Sequence, residues 1–174
     1  MFNFFKKQDK NQKFINQVVG GQSVIFRIFK EVFEEDDIEV NKAELTYFAL
    51  SVFTYTFLRL SKATDEQKEI TADEVALAVL KKSIPYASKE VSLEEAALEY
   101  QKRYQAYNTL INVMFKGDTI DSNACTTLMM HLYECVMGKS AEEKMIKISV
   151  ASPLLAQYVA DHVDFMKTVI EVKN

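Results

Sequence analysis

Glycine and proline are scarce in this chain, with four glycines and two prolines in 174 residues, where average usage would give about 20. Turn-rich β architectures consume both residues heavily, so the shortage argues for a few long elements, which means helices. Cysteine is almost missing as well. Cys125 and Cys135 fall in one expected helix, about 15 Å apart at the helical rise, too far for a disulfide. They read as reduced thiols of a reducing compartment. The longest uncharged apolar-rich run, Leu45 to Leu58, makes about 21 Å of helix, short of the roughly 30 Å of a bilayer core, and reads as a buried helix. A basic excess is also absent. The chain has 21 Lys and Arg against 25 Asp and Glu, a net charge of −4. Phosphate binding needs a basic surface, so no nucleic-acid partner is expected. The opening MFNFFKKQDKNQKF lacks the apolar core and cleavage site of a signal peptide, and the expected location is the cytoplasm.

Several motifs of catalysis and cofactor binding are missing too. No GK[ST] follows Gly20-Gly21, and no HExxH, CxxC or GxSxG occurs. Ala63 to Glu74 resembles a calcium loop only at Asp65, Ile70 and Glu74. It has Lys68 where the sharp turn needs glycine. No cofactor and no catalytic residue are assigned.

What is present is helical patterning. With 48% hydrophobic residues, a chain of this length buries enough surface to fold without disulfides or metal. Cap signatures pair a polar residue with Glu three positions on: Asn41 with Glu44, Thr71 with Glu74, Ser92 with Glu95, and Ser140 with Glu143. Ser152 followed by Pro153 marks a fifth start, with proline in the first helical position. The clearest stripe runs Leu93, Ala96, Ala97, Tyr100, Tyr104, Tyr107, Ile111, Met114, one face of a long helix. Others run Leu45 to Leu60, Ile25 to Phe33, and Leu155 to Ile170. Thr71 to Ile84 reads as a helix ended by Pro85. Asp121 to Met137 reads as one capped by Asp121 or Ser122 and stopped by Gly138. Gly20-Gly21 reads as a break between two N-terminal helices. Met145 to Ala151 fits helix or strand. The expectation is an all-α, single compact bundle of six or seven helices, with antiparallel neighbours and short loops. One domain covers 1–174, and 1–13 forms a Phe/Lys-rich N-terminal segment.

Four sets of residues qualify as functional sites. The Asp121 helix carries LMMHLYECVM, apolar on both sides, so Met130, Tyr133 and Met137 face either the core or a partner. Tyr100, Tyr104 and Tyr107 suit a core boundary or an interface, because tyrosine buries its ring and keeps its hydroxyl near water. His131 and Cys135, at i,i+4, could reach one ion, with His162 as a third ligand from the last helix. A hydrogen-bonded core histidine is the plainer account of His162. Phe2, Phe4 and Phe5 stand beside Lys6 and Lys7, a pattern that suits an anionic membrane surface or a docked terminus. The leading expectation is a non-enzymatic helical interaction module that binds another protein or self-associates. The first alternative is a metal- or ligand-binding helical bundle or enzyme using His131, Cys135 and His162. The second is a peripheral membrane protein.

Overall fold

A computed structural model describes residues 2–33, 41–87, 91–116 and 119–170, with the side chains of 2–9, 85–87, 116 and 122 outside the description. Six helices pack on one another: α1 (Phe2–Phe33), α2 (Lys42–Leu60), α3 (Asp65–Ala87), α4 (Leu93–Met114), α5 (Ser122–Met137) and α6 (Met145–Val169). The all-α bundle is as expected. The only strand pairing among the described residues is a short antiparallel ladder, β1 (Phe115–Lys116) with β2 (Thr119–Ile120), in which Phe115 faces Ile120.

α2 is the axis of the bundle. Every residue from Glu44 to Phe57 is buried, and the helix touches each of the other five. A helix apolar on all sides has to be covered on all sides, and the run Leu45 to Leu58 is such a helix. Three of its hydroxyls are satisfied locally. Thr46, Ser51 and Thr56 donate to the carbonyls of Lys42, Tyr47 and Val52 at 3.1, 2.8 and 2.7 Å, so these three buried donors each have a partner. Around it, Phe14 packs on Phe53 and Phe57 with ring centroids 5.3 and 5.5 Å apart, and the buried residues of all six helices form one cluster.

The local caps hold where the backbone alone decides them. Asn41 accepts from the Glu44 N–H, and Ser92 with Glu95 forms a reciprocal capping box. Asp121 caps α5, and Gly138 ends it in the left-handed region at φ 63°.

Four expectations are corrected. α1 runs straight through Gly20-Gly21, because Gly21 is a contact position and not a turn. A Cβ there would lie 2.5 Å from the Tyr158 hydroxyl of α6, so the glycine lets α6 approach. α3 begins at Asp65, not at Thr71. Thr64 and Gln67 cap it reciprocally, and Glu74 instead accepts from Asn11 of α1 at 2.9 Å. It also continues past Pro85 to Ala87. Finally, Ser152-Pro153 does not start a helix. A 3₁₀ turn (Glu142–Lys144) leads directly into α6 at Met145, and Pro153 lies inside α6. It is exposed there, as is Ser149, whose carbonyl loses its helical N–H partner to proline and can be hydrated instead. These mergers leave six α-helices among the described residues.

Candidate functional site

The tyrosine and methionine faces point inward. Tyr107 and Tyr133 are completely buried, Tyr100 and Met137 nearly so, and Met130 and Tyr104 are half-buried at the core's edge. Tyr133 packs on Phe33, with ring centroids 4.8 Å apart, and stacks on Phe29. Tyr107 meets Phe48 edge-on at 5.1 Å, and Tyr100 shares a 2.8 Å hydrogen bond with Thr54. The physical reason is coverage: α5 lies against α2, α4 and α6, so both its apolar sides are used within the chain. Tyr100, Tyr107, Tyr133 and Met137 therefore offer the folded monomer no surface for a partner.

The proposed metal trio does not assemble. His131 and Cys135 do meet, with Nε2 and Sγ 3.7 Å apart. His162 is instead walled in by Phe53, Tyr158 and Phe165, and among the described residues neither ring nitrogen has a hydrogen-bond partner. It is a core histidine without the hydrogen bond such a residue usually has. Among the described residues, no three His, Cys, Asp or Glu side chains gather to hold an ion.

The His131–Cys135 pair belongs to a polar cluster that joins α2, α4 and α5. Glu44, almost fully buried, accepts a 2.6 Å hydrogen bond from the Tyr107 hydroxyl. Arg103 Nε lies 3.2 Å from Glu44 and 3.2 Å from Glu99; these are charge contacts, not aligned hydrogen bonds. Its Nη1 reaches Cys135 Sγ at 3.8 Å. Burial raises the pKa of Glu44 despite Tyr107 and Arg103. Burial, then the Glu44 carboxylate, raises that of Cys135. Burial, then Arg103, lowers that of His131. Thiol and imidazole are both held neutral, the reverse of an activated nucleophile and its base. The cluster is an internal clamp between helices.

Sequence reasoning missed Glu44 and Arg103 as members of this clamp. Glu44 satisfies only half of the cap motif, because its carboxylate turns to Tyr107 and Arg103. Arg103 carried a signal: it lies three residues after Tyr100 and four before Tyr107, on the tyrosine face.

A cleft of about 350 Å³ opens between α1, α2 and α3. Val19 and Phe26 of α1 and Leu45 of α2 give it apolar walls, and Gln22 donates a 3.0 Å hydrogen bond to Ser83 of α3 across it. Lys42 and Lys82 line it as well, and both are exposed. Among the described residues no carboxylate lines it. The acidic run Glu34 to Asp37 lies outside the described residues. One trace of the cleft was present in the sequence: Phe26 stands off the Ile25, Ile28, Phe29, Val32 stripe and keeps more than a third of its surface exposed.

Among the described residues no helix is long and apolar enough to cross a membrane. Phe2, Phe4, Phe5, Lys6 and Lys7 start α1 in backbone, and their side chains lie outside the described ones. Comparison of the chain with protein-family models, curated proteins and solved structures finds no match.

Proposed function

We propose that this protein is a non-enzymatic binding protein, and that the cleft between α1, α2 and α3 receives a small, mainly apolar molecule. The carrying observation is the cleft itself, whose volume of about 350 Å³ falls within the range of ligand pockets, roughly 300–1,000 Å³. The neutral His131–Cys135 pair supports a binding role over a catalytic one. Two free thiols suit a reducing compartment such as the cytoplasm. The test is titration with a small neutral apolar dye, 1-naphthylamine, against the protein and against Ser23→Phe. Ser23 is exposed and lines the cleft, so the added ring fills it without disturbing the core. Saturable fluorescence that Ser23→Phe removes is the expected result. No saturable signal, or equal binding by both proteins, defeats the reading.

A second reading rests on α6. Ile146, Val150 and Leu154 are 85, 57 and 47% exposed and follow one another at four-residue spacing, an apolar ridge facing solvent. We infer from it a protein contact by self-association. Sedimentation over a wide concentration range should show a mass increase that Val150→Asp abolishes while the melting temperature holds. A constant monomer mass excludes self-association.

A further inference from the structure

Resting on that reading of the cleft, we propose that its ligand is a medium-length alkyl carboxylate, with the chain between α1 and α2 and the carboxylate beside Lys42 and Lys82. Three observations converge. The walls contributed by Val19, Phe26 and Leu45 favour a hydrocarbon chain over a polar ligand. The cations sit on two different helices, and neither Lys42 nor Lys82 is paired with a carboxylate among the described residues. Lys42 is also the first residue of α2. The cleft therefore borders a helix N-terminus, whose dipole favours an anion.

Size narrows the class. At about 30 Å³ for each non-hydrogen atom, the share of a water molecule in its liquid, a cleft of about 350 Å³ holds about a dozen such atoms. Decanoate has that size. A helical peptide needs a groove several turns long.

The test uses the full chain with sodium decanoate below its micellar concentration, followed by amide shifts and by calorimetry. Decan-1-ol and the decyltrimethylammonium ion serve as partners of equal chain length. Decanoate should bind saturably at one site, about tenfold tighter than decan-1-ol at low salt, as two partly exposed charge contacts allow. The cation should not bind. Raising the salt should narrow the tenfold gap. The double variant Lys42→Gln, Lys82→Gln should bring decanoate down to the level of decan-1-ol and leave decan-1-ol unchanged. Both substitutions are at exposed positions, so the fold is kept. Ser23→Phe should abolish both alkyl ligands. If decan-1-ol binds as tightly as decanoate, or the double variant changes nothing, the carboxylate assignment fails and the cleft remains a binding site. If no alkyl ligand binds saturably, both proposals fail.

Discussion

His162 should be replaceable by leucine with a gain in stability. The ring is fully buried, and both nitrogens lack hydrogen-bond partners among the described residues. Each unsatisfied buried polar atom costs about 1–3 kcal/mol. A leucine of similar volume removes both, at the expense of edge contacts to Phe53, Tyr158 and Phe165. A net gain of about 2 kcal/mol at neutral pH follows, or a rise in melting temperature of about 4–8 °C for a chain of this size. The pH dependence is sharper. Burial lowers the His162 pKa from 6.5 to about 4, so the unfolded chain takes up the proton first. Stability tied to a neutral His162 is whole above pH 6.5 and is lost as the pH falls towards 4. The loss is about 3 kcal/mol. Glu44 works in the opposite sense. Its pKa is raised in the folded state, so its contribution is whole below its unfolded value of 4.5 and is lost as pH rises through the folded value. Glu44 is common to both proteins, and the difference between them isolates His162. Urea unfolding of wild type and His162→Leu at pH 7.5 and pH 4 measures it. The gap should widen by about 3 kcal/mol on acidification. An equal acid loss in both, or a variant weaker than wild type at pH 7.5, refutes the reasoning.

Gly21→Ala should destabilise by about 1–3 kcal/mol through overpacking against Tyr158, seen as a lower urea midpoint with an unchanged slope. Tyr158→Phe removes the hydroxyl that a Cβ at position 21 would meet at 2.5 Å and should restore part of that loss; equal losses in the two backgrounds refute the contact. Pro153→Ala should stabilise by about 1–2 kcal/mol, because alanine returns a helical N–H to the Ser149 carbonyl on an exposed face. The gain is net of the unfolded-state advantage of proline. A thermal melt that falls instead would show that α6 needs the proline.

The helical class and several helix ends were legible because they depend on near neighbours. Four glycines and two prolines leave little material for turns. Asn41, Ser92 and Asp121 each reach a backbone N–H two or three residues away, and Gly138 adopts the left-handed conformation that ends α5. None of these needs a distant residue. The same local grammar misled wherever a distant residue took over. Gly20-Gly21 looks like a break and is a seat for Tyr158. Thr71 and Glu74 look like a cap, but Thr64 with Gln67 starts that helix and Glu74 ties it to Asn11.

The sites were decided by packing. Periodicity identified the stripe through Tyr100, Tyr104 and Tyr107 but not what covers it, because an amphipathic face looks the same whether its cover is another helix of the chain or another protein. Only the fold sets Tyr107 against Glu44, 63 residues away, and carries His162 away from His131. The cleft depends on the separation of three helices, a volume that exists in none of them alone. Sequence alone determined that this chain folds as helices and where several of them begin and end, because hydrogen bonding along a helix is local. Tertiary structure decided which polar groups are shut inside and which space stays open, because both depend on residues that meet only after the chain has folded.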